Sequence, residues 1–280
     1  MEINNMSVVY YSPTYTSQKI ARAVADGLGI ARRTEHNLTT DRETDIIPIK
    51  DSICVVAAPV YGGLTAPVAL ERFKRLKGEN SIAIPLVVYG NRDYEDALVQ
   101  LRDQLQQQGF TVLCGAAFIG EHSFSRPDMP VAEGRPDADD QHKAVTFGQK
   151  ALQSLCSQLH ITEQPDTTAR QFALTYSQSL NTLVSTPFMK GNVPYKEAKT
   201  SAPAAPVVND LCYGCGECET LCPTGAITTV DGRSTTDISL CTKCCACVKY
   251  CPVGARVFDT PFTAMLHQNF SARREPECFL

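Results

Sequence analysis

The segment that decides the fold is SVVYYSPTYTSQKIARAVADGL, residues 7–28. It begins with an apolar run at residues 7–11, which is typical of a buried strand. A polar turn at residues 12–17 follows the strand. After the turn, apolar residues recur at the spacing of one helix face, at Ile20, Ala21, Val24 and Leu28. A strand that leads directly into a helix is the repeating unit of an α/β sheet, so the sequence predicts the α/β class.

The same alternation of strand and helix patterns continues through the first 160 residues. Further strands are predicted at residues 30–38, 53–58, 82–88 and 111–118. Helices are predicted at residues 66–76, 94–108 and 139–159. Pro85 lies inside the fourth strand and predicts a bulge or a lost ladder hydrogen bond there. Five strands with intervening helices predict a doubly wound five-stranded parallel sheet, in which ligands bind at the carboxyl ends of the strands.

The pattern breaks after residue 160, which predicts four parts along the chain. Residues 1–160 form the sheet domain, and residues 161–209 form a connector with a helix at residues 169–183 and an extended linker at residues 200–206. Residues 210–258 form a small α+β domain that is rich in cysteine, and residues 259–280 form a C-terminal tail.

Composition narrows the class of protein. The formal net charge of −4 argues against nucleic-acid binding, which normally needs a basic surplus. No apolar run approaches the roughly 18 residues of a membrane span, and residues 1–6 lack the features of a signal peptide. We therefore expect a cytoplasmic protein without a membrane partner. The sequence leaves open whether the chain forms a homodimer.

Nine of the 13 cysteines fall within residues 212–251, where one motif occurs twice. The first copy, LCYGCGECETLCPTGA, starts at Leu211, and the second, LCTKCCACVKYCPVGA, starts at Leu240. Each copy has the spacing C-x2-C-x2-C-x3-C-P, which is that of proteins with two [4Fe–4S] clusters. Three closely spaced thiolates hold one cluster, and the fourth cysteine of each copy holds the other cluster.

This crossed arrangement predicts two sets of four ligands. One cluster is held by Cys212, Cys215, Cys218 and Cys251, and the other by Cys241, Cys244, Cys247 and Cys222. The alternative is a pair of zinc sites, although zinc sites usually combine two separate C-x2-C pairs. Cys245 aligns with Gly216 of the first copy, which predicts a thiol that does not ligate iron.

The charges of residues 210–258 are almost balanced, with five acidic and four basic side chains. Because freely diffusing electron carriers of this kind tend to be strongly acidic, the balance predicts electron exchange mainly within the chain.

Three loops follow strands of the predicted sheet and form a candidate ligand site. The first offers hydroxyl groups and helix N-terminal N–H groups to a phosphate, or alternatively only an N-cap. Tyrosines in the other two loops are predicted to sandwich a flat ring system, or alternatively only to cover the end of the sheet. The candidate residues are Ser12, Thr14, Tyr15, Thr16 and Ser17; Pro59, Val60, Tyr61, Gly62 and Gly63; and Gly90, Asn91, Arg92, Asp93 and Tyr94.

With these loops, residues 1–160 resemble flavodoxin, and the chain resembles the flavodoxin–ferredoxin fusion proteins of anaerobic bacteria and archaea. In the phosphate loop T/S-x-T-G-x-T, Ser12, Thr14 and Ser17 match, while Tyr15 replaces the glycine. The loops at residues 59–63, 91–94 and 120–125 also match the fusion family. The resemblance implies non-covalently bound FMN in addition to two [4Fe–4S] clusters. No G-x-G-x-x-G motif for a nicotinamide cofactor is present.

These features favour an electron carrier that relays electrons between the two clusters and FMN, with redox proteins as partners. The alternative is an enzyme that reduces a small substrate at the flavin, for which only His122 and Glu121 are candidate proton donors. For His122, a hydrogen bond to loop backbone is the simpler expectation. A third reading is an iron–sulfur protein whose flavodoxin-like part binds no flavin.

Overall fold

The computed structural model describes residues 2–3, 5–158, 174–175, 188–198 and 202–280. In its first part the strands are β1 (Glu2–Ile3), β2 (Asn5–Tyr10), β3 (Arg32–Asn37), β4 (Ile47–Lys50), β5 (Ser52–Tyr61), β6 (Leu64–Thr65), β7 (Leu76–Glu79), β8 (Ile82–Tyr89), β9 (Thr111–Val112), β10 (Gly115–Ile119) and β11 (Leu174–Thr175). The helices of this part are α1 (Thr16–Leu28), α2 (Pro67–Phe73), α3 (Ala97–Gln107) and α4 (Ala138–Gln158).

The second part contains shorter elements. Its strands are β12 (Val207–Val208), β13 (Ile227–Val230), β14 (Arg233–Thr236), β15 (Arg256–Val257) and β16 (Glu277–Phe279). Its helices are α5 (Glu217–Thr220), α6 (Ala246–Lys249) and α7 (Pro261–Phe270). Among the residues that the model describes, no helix is long and apolar enough to span a bilayer.

The central sheet has the strand order β3-β2-β5-β8-β10, and all four of these pairings are parallel. The predicted five-stranded doubly wound sheet is therefore confirmed. A sixth strand was not predicted: β16, from the C-terminal tail, pairs antiparallel with β10 at the edge of the sheet. The loops after β2, β5, β8 and β10 lie at one end of the sheet, where ligands of this topology bind.

Pro85 causes no bulge, because β8 keeps an unbroken register with β5 from Ile82 to Val88. On the other side of β8, the predicted fifth strand is split. β9 pairs with Ile82 and Ala83, and β10 pairs from Leu86 onward. The gap lies opposite Pro85, which has no N–H to donate to a ladder. The strand predicted at residues 111–118 is thus two short strands.

Two apolar cores lie on the two faces of the sheet. One core packs α1 and α4 against the sheet, and the other packs α2 and α3. The helices α1 and α4 approach each other through Gly27 and Gly148. A Cβ atom at Gly148 would lie 2.2 Å from the carbonyl oxygen of Val24, so this close approach requires glycine.

The remaining helix predictions differ from the structure in two places. The helix predicted at residues 66–76 ends at Phe73, because Leu76 begins β7, which pairs in parallel with β4. The helix predicted at residues 169–183 lies outside the described residues except at β11. There the prediction is wrong, since Leu174 and Thr175 pair with β1 as an antiparallel strand.

Candidate functional site

The two cysteine motifs fold into two similar cavities. One is lined by Cys212, Cys215, Cys218 and Cys251, which we call the outer cysteine set. The other is lined by Cys222, Cys241, Cys244 and Cys247, which we call the inner cysteine set. Each cavity holds about 330 Å³ of space, part of it open to solvent. The structure thus brings together the two crossed sets of thiols that the motif spacing predicts.

Left-handed backbone positions let each loop wrap three thiols around its cavity. In the first copy these positions are Gly214 and Gly216, with φ of 74° and 80°. In the second copy Lys243 and Cys245, at the same motif positions, adopt φ of 57° and 58°. Cys245 therefore occupies a turn position that favours glycine. Its Sγ donates a hydrogen bond to the carbonyl oxygen of Lys243 at 3.5 Å.

Backbone N–H groups are directed at the fourth cysteine of each motif. Ala226 N donates to Cys222 Sγ at 3.2 Å, and Ala255 N donates to Cys251 Sγ at 3.1 Å. Although burial opposes it, the N–H groups of residues 253–256 lower the pKa of Cys251. A lower pKa favours the thiolate, which is the form that binds iron. Among the described residues, no group of three or more His, Cys, Asp or Glu side chains is spaced to hold a single metal ion.

The two cysteine sets differ in their exposure. In the outer set, the Cys215 thiol is exposed, and N–H groups of Ser234 and Gly214 lower the pKa of Cys212. In the inner set, Cys244 and Cys247 are buried, and burial raises the pKa of Cys244 to about 12. The inner set is therefore enclosed by protein, whereas the outer set reaches the surface.

The inner set faces the first part of the chain. Burial raises the pKa of the Tyr61 hydroxyl, and the nearby Cys244 and Cys245 thiols raise it further. The Tyr11 hydroxyl also interacts electrostatically with Cys244 and Cys222. Tyr61 ends β5 in one of the predicted ligand loops. The inner thiols therefore interact electrostatically with this loop.

The loop at residues 12–17 forms a cradle at the start of α1. Tyr15 adopts φ of 61°, the left-handed conformation expected of the glycine that it replaces. Ser12 N donates to Thr39 Oγ1 at 2.9 Å, and Ser12 Oγ accepts from Gln18 N at 3.1 Å. The Oγ atom of Ser17 is buried without a protein partner. Thr14 and Thr16 are half-buried beside it.

The loop at residues 59–63 is a tight hairpin. Pro59, Val60 and Tyr61 belong to β5, and two glycines with φ of 62° and 87° turn the chain into β6, namely Gly62 and Gly63. A Cβ atom at Gly63 would lie 2.6 Å from the carboxyl group of Glu95, and the φ of 87° at this position favours glycine. Tyr61 remains half-buried.

The loop at residues 90–94 is largely engaged by other segments. Asn91 Nδ2 donates to the carbonyl oxygens of Phe270 and Ala272 in the tail, at 2.6 and 2.9 Å. Arg92 pairs with Glu95, and Asp93 pairs with Lys190.

Tyr94 does not take the predicted stacking position, because its ring is fully buried. The ring packs against Tyr89 with 5.4 Å between centroids, and Lys190 Nζ lies 4.7 Å from its centroid. Its hydroxyl donates to Glu277 at 2.8 Å. The ring therefore has no face left for a ligand, and the sandwich predicted between Tyr61 and Tyr94 does not form.

Around residue 121, the side chains bind protein groups. His122 Nδ1 accepts a hydrogen bond from Phe124 N at 3.0 Å, which confirms the expected bond to loop backbone. Burial, and then the charges of Lys249 and Arg92, lower the pKa of His122 to about 4. Glu121 forms an ion pair with Lys249 of α6. His122 is therefore neutral at pH 7 and already holds the loop.

Several contacts join the cysteine-rich part to the sheet domain. Arg72 Nη2 donates to the carbonyl oxygen of Pro223 at 2.5 Å. The Tyr250 hydroxyl donates to Thr14 O at 3.1 Å, and the rings of Tyr250 and Tyr15 lie 5.1 Å apart. Sequence reasoning did not find these contacts, because the residues lie far apart in the chain and follow no local motif.

Comparison with known proteins gives matches for both parts. Residues 196–233, which include the first cysteine motif, match the LdpA Fe–S cluster-binding domain. Residues 8–148 match flavodoxin. No curated protein matches the chain.

Solved structures resemble the sheet domain. Rubredoxin:oxygen oxidoreductase from Desulfovibrio gigas is 15% identical over 55% of this chain and 36% of its own, with a TM-score of 0.39. This chain thus spans about a third of that protein's length. A flavodoxin from the domain Archaea is 12% identical over 54% of this chain and 98% of its own, with a TM-score of 0.35. A Fusobacterium nucleatum flavodoxin bound to flavin mononucleotide is 12% identical over 56% and 98%, with a TM-score of 0.36.

The flavodoxin match covers just over half of the chain. The parallel strand order found in the structure is the one that this family requires. The chain belongs to the flavodoxin family, and a segment that matches an Fe–S cluster-binding domain follows its flavodoxin domain.

Proposed function

We propose that this chain is an electron carrier that relays electrons between two [4Fe–4S] clusters and a non-covalently bound FMN. The observation that carries the proposal is the contact between the inner cavity and the sheet domain, where Arg72 of α2 donates to the carbonyl oxygen of Pro223 in the wall of that cavity. The outer set, whose Cys215 is exposed, lies at the other end of this path. Clusters held by the outer and inner sets would then supply one-electron carriers in sequence toward the flavin loops, usable in either direction.

The cysteine sets fit two iron–sulfur clusters. Each set supplies four sulfur donors around one cavity, and thiolates are the usual ligands of such clusters. N–H groups reach the sulfur atoms of Cys222 and Cys251. Hydrogen bonds to cluster ligands and burial both tune reduction potentials. The more buried inner set and the exposed outer set therefore support two clusters of different potential.

The flavodoxin loops fit a phosphorylated flavin. The buried Ser17 hydroxyl has no hydrogen-bond partner among the described residues, and it lies in the first turn of α1, where N–H groups favour an anion. Tyr15 gives the loop its left-handed turn. Asn91 Oδ1 is a second buried atom without a partner, in the loop after β8. These groups would hold the phosphate and a polar edge of the ring, with Tyr61 as the remaining aromatic neighbour.

When bound, the clusters supply one-electron carriers, and FMN accepts one or two electrons. The protein would position these cofactors and set their surroundings. Arg72, Lys249 and Tyr250 hold the cysteine-rich part against the flavodoxin loops. An electron carrier is favoured over a substrate reductase because His122 is neutral at pH 7 and its Nδ1 is occupied, and because Glu121 is paired with Lys249.

The proposal is tested with protein that has been reconstituted anaerobically with iron, sulfide and FMN. We expect about eight iron atoms and one flavin per chain. After the clusters are reduced by a rapid light-driven donor, the flavin absorbance should fall at a rate that does not depend on protein concentration. Failure of FMN to bind, or reduced clusters that never reduce bound FMN, would contradict the relay.

A further inference from the structure

The two copies of the cysteine motif differ at one buried position beside the cavities. Arg256 follows the fourth cysteine of the second copy at the same distance as Ile227 follows that of the first copy. Ile227 is a buried apolar side chain in the wall of the inner cavity. Arg256 is only 2% exposed, and it lines both the outer and the inner cavity. The second copy therefore places a guanidinium group where the first copy has a hydrocarbon side chain.

The Arg256 side chain reaches both cysteine sets. Its Nη2 donates to Cys247 Sγ of the inner set at 3.8 Å and to Thr236 Oγ1 at 2.6 Å. Its Nη1 donates to Ser234 Oγ at 3.3 Å. The Ser234 hydroxyl in turn lies 3.8 Å from Cys212 Sγ of the outer set. One guanidinium group thus contacts an inner-set sulfur directly and an outer-set sulfur through a single hydroxyl group.

The positive charge of Arg256 has no carboxylate partner among the described residues. Its hydrogen-bond acceptors there are two hydroxyl groups and a sulfur atom, and its buried Nε has no acceptor. A buried charge without an opposite charge is costly, so buried charges are normally paired. An iron–sulfur cluster with four thiolate ligands carries a net negative charge. Clusters in the two cavities would therefore supply the counter-charge that the protein itself does not provide.

We propose that Arg256 is the counter-charge shared by the two clusters, and that it raises the reduction potential of both. The inference rests on the two clusters of the proposed function and not on the flavin. When a cluster takes up one electron from a reductant, its negative charge increases by one, and no bond forms or breaks. A buried cation stabilises this reduced form more than the oxidised form, because charges interact strongly where water is excluded.

The test is a redox titration of holoprotein with dithionite, with the cluster signals followed by electron paramagnetic resonance. In Arg256→Met, the ratio of reduced to oxidised cluster at a fixed applied potential should fall about tenfold, which corresponds to a potential lower by about 59 mV for one electron. Arg256→Lys keeps the charge and should stay within about threefold of the wild type. The shift should persist at 1 M salt, because a buried charge is screened little.

The matched control is Arg233→Met, which removes an arginine from the same part of the chain. The Arg233 side chain is 53% exposed, so water and salt screen its charge. We expect its variant to keep the wild-type potentials at high salt. If Arg256→Met does not assemble its clusters, Arg256→Gln takes its place, since glutamine donates hydrogen bonds but carries no charge. Wild-type potentials in the neutral variant, or equal potentials in the neutral and lysine variants, would overturn the proposal.

The outcome is separable from that of the relay, because the titration needs the clusters and no FMN. If the potentials fall as expected while reduced clusters never reduce bound FMN, the relay fails and the role of Arg256 stands. If the flavin is reduced but the loss of Arg256 leaves both potentials unchanged, the role of Arg256 fails and the relay stands. A reconstituted wild-type protein without iron would overturn both.

Discussion

Replacement of Arg72 by methionine tests how the two domains are held together. Arg72 Nη1 donates to the carbonyl oxygens of Leu38 and Thr39, and Nη2 donates to that of Pro223. Leu38 and Thr39 follow β3, and Thr39 Oγ1 in turn accepts from Ser12 N of the phosphate loop. Pro223 follows Cys222, an inner-set cysteine. One guanidinium group therefore connects the phosphate loop to the inner cysteine set.

The expected loss of stability in Arg72→Met follows from the number of guanidinium nitrogens that donate hydrogen bonds. A hydrogen bond from a charged donor contributes about 1.5–3 kcal/mol. Two nitrogens of Arg72 donate, and because the side chain is only half-buried we take the lower end of this range for each nitrogen. Arg72→Met should therefore lower the free energy of unfolding by about 3 kcal/mol. Methionine retains most of the apolar stem, and the change removes the guanidinium, which also lies 5.5 Å from the centroid of the Tyr11 ring.

The assay combines denaturant unfolding of holoprotein with amide hydrogen exchange. Loss of the bond to Pro223 should speed exchange at the Gly225 and Ala226 amides. Arg75→Met is the matched control, because among the described residues Arg75 contacts the flavodoxin domain, through the Asp45 carbonyl oxygen and the Asp41 carboxylate. Exchange in residues 222–227 should stay at the wild-type rate in this control. If Arg72→Met left both stability and exchange unchanged, the inferred connection would be wrong.

Three further predictions concern single side chains. Tyr15→Gly should be more stable to denaturant than Tyr15→Ala by about 1 kcal/mol, because both lose the ring contact but only glycine relieves the left-handed backbone; equal stabilities would contradict this. The pKa of His122 is about 4 in the folded protein, below the ordinary value of about 6.5. Between these two pH values the unfolded state binds one more proton than the folded state. The free energy of unfolding therefore falls as the pH drops from about 6.5 to about 4, by up to ~1.4 kcal/mol per pH unit. His122→Asn should flatten the pH dependence of the unfolding free energy in that window, and an unchanged slope would show that other groups cause it. Cys245→Ala should retain the full iron and sulfide content, whereas Cys244→Ala should lose about half of the iron; a lost cluster in the Cys245 variant would make that thiol a ligand.

The sequence predicted the elements whose signal is local. The apolar runs and helix-spaced residues of residues 1–160 were sufficient for the parallel sheet, because burial on both faces leaves a strong pattern. The two cysteine sets were predicted from spacing alone, since the two motif copies, which start at Leu211 and Leu240, place equivalent residues in equivalent turns. At Tyr15 the sequence did not predict the backbone, because a tyrosine stands where the family motif has glycine, and the structure shows that the left-handed conformation is kept.

What the sequence did not predict depends on contacts between distant segments. β16 is a three-residue strand in a charged tail, and only pairing with β10 makes it a strand. Tyr94 was expected at a ligand, but Glu277 and Lys190, from segments far along the chain, enclose it. The environments of Arg256 and Lys249 were not predicted either. Arg256 is buried, and Lys249 forms an ion pair with Glu121 of the flavodoxin domain.

The central claim is that electrons pass between the outer cluster and the flavin through the inner cluster. The measurement that tests it most directly is the rate of flavin reduction after light-driven electron injection, compared between Cys215→Ser and Cys244→Ser holoproteins whose iron content and fold have been checked. Because the inner cluster would be the last carrier before the flavin, flavin reduction should be slowed at least tenfold in the inner-set variant, and less in the outer-set variant, which loses only the first carrier. Wild-type rates in the inner-set variant would contradict the account.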